Sequence, residues 1–259
     1  NKAGGLSFLA HPNEFALPMI NEPDISWVDW DVHGFTGLEL WNGMSEFKTV
    51  THSVAEGLYY LFMPELVAHA PLQTTLDKWD EILSGGKKAV AVGGSDAHAI
   101  EFKRSILKRT VYPYEFHFSA INNHLLIHED LTGDVDHDRR LVYQALRNGS
   151  TFIGYDLPAP TRGFSFTVEN ESGVYSMGDT VAIAQGATVR VNLPTPANIR
   201  LIHNGSTVAE QTNSDRLTWS ITEPGYYRVE CTIFFINKQR GWIYSNPIFA
   251  VKGLKRKIF

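Results

Sequence analysis

The hydrophobic pattern changes near residue 163, and this change constrains the fold more than any other feature of the sequence. Before it, short apolar runs at 6–10, 37–41, 89–92 and 151–153 alternate with helical patterns at about 46–62, 75–84 and 137–148. Buried strands that alternate with helices are typical of parallel β/α units. After it, short alternating runs are separated by turn signals such as Asn204-Gly205, which predicts a hairpin. The sequence therefore predicts an α/β region at 1–158 and a small immunoglobulin-like β-sandwich at 159–259.

Composition narrows the possible partners. The 259 residues carry a net charge of −5, which argues against nucleic acid, and no apolar run approaches the length of a membrane-spanning helix. The single cysteine, Cys231, excludes an internal disulfide and is expected to be buried in a strand.

Because an apolar strand follows within five residues of Asn1, we interpret the chain as a C-terminal fragment, so that its localisation stays unknown.

The residues at two strand ends suggest a metal site. The segment 90–98, VAVGGSDAH, ends an apolar run with Asp96 and His98, and residues two apart in extended backbone point to the same side. His11 ends an earlier apolar run and precedes Pro12, which favours extended backbone at that position. Imidazole and carboxylate suit zinc, manganese or iron. A hydrogen-bonded histidine and an aspartate in a turn are the alternatives for each residue alone, but their occurrence at one sheet edge favours a metal.

Other residues near these strand ends have predicted roles besides metal binding. Glu39 is predicted to be a carboxylate that orients a ligand, with direct ligation and a helix-capping contact as alternatives. Asn42 is a candidate for substrate binding, and so is Arg104, whose cation suits a phosphate or carboxylate; a turn and a solvated basic loop are the respective alternatives. Asp134 and its acidic neighbours are interpreted as a helix cap. The remaining histidines, His117 among them, are expected to be structural.

These motifs resemble those of a known family. GGLSFLAHP (4–12) and GSDAH (94–98) are similar to the late motifs of the PHP (polymerase and histidinol phosphatase) metallo-hydrolases, and GLELWNG (37–43) and WIYSNPI (242–248) resemble the carbaryl-hydrolase-like (CehA/McbA-type) branch. The resemblance implies a distorted (β/α)7 barrel with two or three Mn, Zn or Fe ions, in which His11, Asp96 and His98 are ligands. It also implies that the opening His-x-His motif and the N-terminal half of the barrel precede residue 1.

We therefore expect the C-terminal half of such a barrel and a metal-dependent hydrolase of phosphoesters or carboxyl esters, with a small-molecule ester as substrate and part of the metal site in this chain. One alternative is a catalytically incomplete binding or assembly module whose β-sandwich recognises a carbohydrate or a partner protein through aromatic residues such as Trp219 and Trp242. Another is an enzyme assembled from two chains. Because exposed strand edges pair with other chains, we expect the missing half, a partner chain or the β-sandwich to cover the edges of the half-barrel.

Overall fold

The chain folds mainly into β-strands. The computed structural model describes residues 4–104 and 107–253, and at Ile20, Ile100, 102–104, 107–109 and Val111 it describes the backbone alone. The strands are β1 (Phe8–Leu9), β2 (Gly37–Asn42), β3 (Val90–Gly94), β4 (Ile100–Arg104), β5 (Leu107–Val111), β6 (Ile121–Leu125), β7 (Thr151–Tyr155), β8 (Ser165–Asn170), β9 (Gly173–Tyr175), β10 (Thr180–Ala182), β11 (Ala187–His203), β12 (Ser206–Ile221), β13 (Gly225–Phe235), β14 (Lys238–Ser245) and β15 (Ile248–Val251). The helices are α1 (Gly43–Val50), α2 (Val54–Phe62), α3 (Gln73–Ser84), α4 (Tyr114–Ser119) and α5 (Val135–Asn148), with 3-10 turns at Pro18–Ile20 and Pro64–Leu66.

The first three strands form a small parallel sheet. Its order is β1-β2-β3, with Leu9 opposite Leu38 and Leu38 opposite Ala91. Helix α3 packs on this sheet through Trp79, whose indole N–H donates to the carbonyl of Ala89 at 2.9 Å. The predicted parallel arrangement of the runs at 6–10, 37–41 and 89–92 is confirmed.

The predicted (β/α)7 half-barrel with a separate β-sandwich is wrong. Strands make up 40% of the chain and helices 23%, and the main feature is a curled, ten-stranded antiparallel sheet that resembles half of a barrel. Its path is β6-β7-β14-β13-β11-β8-β9, with β12 on β11, β15 on β13 and β10 on β15. Strand β7, expected in the parallel sheet, lies antiparallel between β6 and β14. Strands from both sides of the predicted boundary at residues 158 and 159 share this sheet, and the two-domain division itself stays a prediction.

Burial on both faces explains the error at β7. Phe152 belongs to the core enclosed by the curled sheet, whereas Ile153 and Tyr155 belong to the core of the parallel sheet. All five residues of β7 are therefore buried, and such a strand has the continuous apolar pattern that is typical of parallel sheets.

Strand β11 explains the missing sandwich. The sequence suggested separate strands at 188–193 and 199–203, but they are the two halves of one 17-residue strand. The first half pairs with β8 and the second with β13, and the ladder to β12 shifts register between Asn192 and Ala197. Pro194 and Pro196, which have no N–H to donate, occupy the gap between the two pairing segments. The strand thus bends without ending, and the sheet curls instead of dividing in two.

Several local predictions are confirmed. Asn204 and Gly205 have φ of 49° and 81° and join β11 to β12 as a hairpin. Asp134 caps α5 by accepting from the backbone N–H of His137, and Gly149 ends that helix in left-handed backbone. The helical pattern at 46–62 instead forms α1 and α2, because the Ser53 side chain begins a new helix there. Cys231 is buried.

The outer edge of β3 is covered by two asparagine side chains. The N–H and C=O of Ala91 both bond to the amide of Asn246, at 2.8 and 2.9 Å, and those of Gly93 bond to the amide of Asn123, at 2.9 and 2.6 Å. Each amide supplies one acceptor and one donor, as a neighbouring strand would. Asn246, from the C-terminal region, and Asn123, from β6, therefore cover this edge together.

Two buried arginines of the antiparallel sheet bond to residues of the region that contains the parallel sheet. Arg228, on β13, donates to both carboxylate oxygens of Asp80 on α3, at 3.0 and 2.8 Å, and to Glu230. Arg240, on β14, donates to the carbonyls of Leu66 and Ala68.

None of the helices in the described residues is long and apolar enough to span a membrane.

Candidate functional site

The three parallel strands bring the predicted ligands to one edge of the sheet. His11 follows β1, Asn42 ends β2, and Asp96 and His98 follow β3. Because the strands are parallel, these positions lie at the same, carboxyl edge, although the pairing of β2 with β3 shifts register between Glu39 and Trp41. Neighbouring strands lie about 4.8 Å apart, so the ends of β1 and β3 are separated by about 10 Å with β2 between them. This spacing lets side chains from the outer strands converge above β2.

Two of the three predicted ligands have left-handed backbone. The φ angle is 31° at His11 and 49° at Asp96. Non-glycine residues rarely adopt such angles, although histidine and aspartate do so more readily than most. Conformations of this kind are concentrated at functional sites, where the surrounding structure holds them in place. At His11 one stabilising contact is a hydrogen bond, which its backbone N–H donates to Oε2 of Glu39 at 2.7 Å.

Glu39 connects the ends of all three strands. Its Oε2 accepts from the His11 N–H on β1's side and from Nδ2 of Asn42 on its own strand, at 2.7 and 3.0 Å. Its Oε1 lies against Gly94 on β3, where an added Cβ would be only 2.9 Å away. Burial raises the pKa of Glu39, and the nearby charge of Asp96 raises it further, against the lowering effect of the bonds from Asn42 and His11. Glu39 therefore organises this edge, as a carboxylate that orients a ligand would.

The capping contact considered for Glu39 belongs to Asn42. Oδ1 of Asn42 accepts from the backbone N–H groups of Met44 and Ser45 at 2.9 and 2.8 Å, which begins α1. Its Nδ2 donates to Glu39, so both ends of the amide are engaged within the protein and the residue is buried. Substrate binding by Asn42 stays a prediction, and the structure gives it a clear role in positioning Glu39.

Glu14 is a functional candidate that the sequence reasoning missed. Its Oε2 lies 3.6 Å from Nδ1 of His11, a buried nitrogen with no hydrogen-bond partner in the described structure. Burial alone would raise the pKa of Glu14, but hydrogen bonds from Lys48 and Ser45 outweigh it and hold the pKa below its usual range. An ionised carboxylate thus faces Nδ1, while the His11 side chain stays one-third exposed. The sequence did contain a signal, since Glu14 follows His11 by three residues.

The loop after β3 is fixed from behind by α4. Oγ of Ser95 donates to the carbonyl of His117 at 2.5 Å. Nδ1 of His98 lies 2.8 Å from the carbonyl of Asp96 and 3.3 Å from its Oδ1, and the His98 side chain is 64% exposed. His117 itself is buried, its Nε2 has no partner within the described structure, and burial lowers its pKa. No pattern in the sequence distinguished His117 from the other histidines.

The predicted ligands lie near one another but do not form a finished metal site. Within residues 4–104 and 107–253, no group of three histidine, cysteine, aspartate or glutamate side chains is arranged to hold a metal ion. The cavity beside His11 and Glu39 is about 10 Å³, room for a single water at most. An ester would have to approach from the open side, where His98 is exposed. The side chain of Arg104 lies outside the described residues, so the structure adds nothing to its predicted role.

The predicted aromatic surface is mostly core. Tyr226, Tyr227 and Trp242 are buried, and Trp219 is 40% exposed. The first three therefore pack in the core, as aromatic residues in strands usually do.

Comparison of the chain with protein-family models, with curated proteins and with solved structures gave no match. The resemblance to the PHP metallo-hydrolases therefore still depends on the motifs alone.

Proposed function

We propose that this chain contributes the carboxyl edge of β1, β2 and β3 to the active site of a metal-dependent hydrolase of phosphoesters or carboxyl esters. One observation carries the proposal: His11 and Asp96 adopt left-handed backbone on either side of a partly buried glutamate, at the same edge of a parallel sheet. Left-handed backbone at a histidine and at an aspartate costs free energy, and the pKa of the glutamate between them is raised. Packing of a core does not require these features together, whereas they are concentrated at functional sites.

The chemistry of the donors fits a first-row divalent ion. His11, Asp96 and His98 supply two imidazoles and one carboxylate, a set that suits zinc, manganese or iron. Two such ions, when bound, would lower the pKa of a shared water and polarise the ester oxygen. The three residues are fewer than two ions require, so we propose that they form one part of the ligand set.

The surrounding residues would position these ligands. Glu14 faces Nδ1 of His11, which directs the other ring nitrogen, Nε2, towards a ligand position. Glu39 holds the His11 backbone, and its proximity to Asp96 gives the edge a negative field that favours a cation. For His98, whose Nδ1 contacts the Asp96 carbonyl, Nε2 is the nitrogen available for binding.

Metal binding and hydrolysis test the proposal together. Equilibrium dialysis against Mn²⁺, Zn²⁺ and Fe²⁺ would measure binding to the wild-type chain, to His11→Gln and to Asp96→Asn. His128→Gln, an exposed histidine away from this edge, is the matched control. We expect at least tenfold weaker binding in the two site variants, unchanged binding in the control, and a parallel loss of hydrolysis of p-nitrophenyl phosphate or p-nitrophenyl acetate. Metal no higher than background in the wild type, with activity that survives Asp96→Asn, would exclude this function.

A second candidate is an assembly module, and helix α2 favours it. None of the nine residues of α2 is buried, although the helix carries Val54, Leu58, Tyr59 and Phe62, each about half exposed or more. Apolar surface of this kind marks interaction sites. Sedimentation velocity of the wild type and of Leu58→Lys would decide whether copies of the chain associate through α2, and a monomer at all concentrations would count against it.

A further inference from the structure

Two clefts meet at Lys88, at the end of β3 opposite the candidate active site. The first has a volume of about 300 Å³ and the second about 530 Å³, and Lys88, Thr180 and Phe249 line both. They lie where the start of β3 and the end of α5 face β10 and β15 of the curled sheet. Clefts of this size between packed layers are the usual places for small ligands.

The first cleft is polar and carries two cations. Lys88 and Arg147 line it together with Asn148, Gly149, Asp179 and Asn246. Arg147 uses Nη2 to donate to the carbonyl of Gly4 at 2.7 Å, which leaves the rest of its guanidinium donors for a ligand. Two cations against one carboxylate give this cleft a net positive character.

The second cleft is mainly apolar. Leu83, Tyr226, Phe249, Ala250 and Val251 form most of its wall. The hydroxyl of Tyr226 is already bonded to Asp80 at 3.0 Å, so the residue offers its ring to the cleft rather than a free donor. A ligand here would be held mainly by burial of apolar surface.

Lys88 is incompletely neutralised. Its Nζ donates to Oγ1 of Thr180 at 3.0 Å and lies over the ring of Phe249, 4.4 Å from the centroid. In the described structure it forms no ion pair within 4 Å, although the charge of Asp179 acts on it from farther away. Burial lowers the pKa of Lys88. Lys88 is an exposed residue, so a ligand can reach its ammonium group, and a bound anion would supply the counter-ion that it lacks.

We propose that these joined clefts bind an amphipathic organic anion, with its anionic group at Lys88 and Arg147 and its apolar body against Phe249, Ala250 and Val251. The proposal is independent of the hydrolase function, because the clefts lie at the other end of the parallel sheet from His11 and Asp96.

Calorimetric titration with three probes tests both halves of the proposal. Octanoate has the anion and the apolar chain, acetate has the anion alone, and 1-octanol has the chain alone. We expect one octanoate per chain and at least tenfold weaker binding of the other two. Lys88→Met keeps the apolar stem and removes the charge, so octanoate binding should fall about tenfold while octanol binding stays the same.

Matched variants locate the site. Lys87→Met removes the same charge from the adjacent, exposed residue and should leave octanoate binding unchanged. Arg147→Met, on the exposed side of α5, repeats the test in case Lys88→Met fails to fold, and Ser84→Trp should block the apolar cleft. The proposal is wrong if octanoate shows no saturable binding, if octanol binds as tightly as octanoate, or if the cleft variants and Lys87→Met bind octanoate alike.

Discussion

The two asparagines on the edge of β3 allow a stability prediction with an internal control. Asn246 and Asn123 each bond to the N–H and C=O of one residue, Ala91 and Gly93 respectively, two residues apart on one strand. Asn246 also donates to the carbonyl of Thr151 at 3.0 Å, and that carbonyl would keep its bond from the backbone N–H of residue 246. The two asparagines differ in solvent access, because Asn246 is 1% exposed whereas Asn123 is exposed. Replacing each by leucine, which has nearly the same volume, removes the amide without leaving a large cavity. The comparison therefore isolates the cost of an unpaired backbone group at a buried edge.

The loss of stability in each variant depends on whether water can reach the backbone groups that lose their partner. In Asn246→Leu the N–H and C=O of Ala91 both lose their partner in a buried place, and each such group costs about 1–3 kcal/mol. We expect a loss of about 3–4 kcal/mol in the free energy of unfolding. Gly93 is itself buried, but residue 123 is exposed, so in Asn123→Leu water can approach the freed groups from that side. The loss is then the net value of two hydrogen bonds, about 1–2 kcal/mol. The difference between the variants should be about 2 kcal/mol.

Urea unfolding followed by tryptophan fluorescence measures both values on the same scale, provided that the slope of the free energy against urea is the same in all three proteins. Equal losses, or a larger loss at Asn123, would refute the reasoning. Such a result would mean that the amides do not act as a substitute strand, or that water reaches Ala91 as easily as Gly93.

Three further predictions concern buried charges and a close backbone contact. Burial raises the pKa of Glu46 from 4.5 to about 7 in the folded state, despite hydrogen bonds that lower it, so stability should fall by about 3 kcal/mol as the pH rises from about 4.5 to 7. The urea midpoint of the wild type should fall as the pH rises across this range, and that of Glu46→Gln should not. The same fall in both proteins would mean that another group causes it. Gly37→Ala places a Cβ 1.9 Å from the carbonyl oxygen of Val90 and should cost about 3 kcal/mol or more, measured by thermal unfolding; a loss below about 1 kcal/mol would contradict this. Arg228→Met should cost about 3–5 kcal/mol in urea unfolding because it removes the buried guanidinium that bonds both Asp80 and Glu230, although Glu230 keeps its bond from Arg200 and Asp80 keeps its bond from Tyr226. Asp80→Asn should cost less because Asp80 is partly exposed; the reverse order would refute this.

The sequence was sufficient for local structure and insufficient for the way in which the strands assemble. Turn residues and caps such as Asn204, Asp134 and Gly149 act within a few residues, and their interpretation was correct. Strand β7 shows the limit, because burial between two cores gives the same apolar run in a parallel and in an antiparallel sheet. The prolines of β11 show it too. They normally mark a strand's end, but here they lie in an unpaired stretch inside a strand.

The sequence predicted which edge of the sheet carries the candidate site, but only some of the residues that form it. Apolar runs that end in His11 and in Asp96 were enough to predict that both lie at one sheet edge, because parallel strands share their carboxyl ends. Glu14 and His117 act through contacts that depend on the packing of α1 and α4. The spacing of Glu14 from His11 was a signal for the first, whereas nothing in the sequence distinguished His117. The extended backbone expected at His11 and at Asp96 is wrong, because both residues are left-handed and neither position is a glycine that would have signalled this.

The position of the 95–98 loop depends on the antiparallel sheet as much as on the parallel one. Gly93 precedes the loop by two residues and is held on one side by β2 and on the other by the side chain of Asn123, which belongs to β6. An added Cβ at Gly93 would lie 2.6 Å from Ile153 of β7, so the end of β3 sits directly on the curled sheet. Strands β6 and β7 are joined to the C-terminal strands through β14. The antiparallel sheet, through β6 and β7, therefore helps to hold Asp96 and His98 in place, and it is part of the framework of the candidate site.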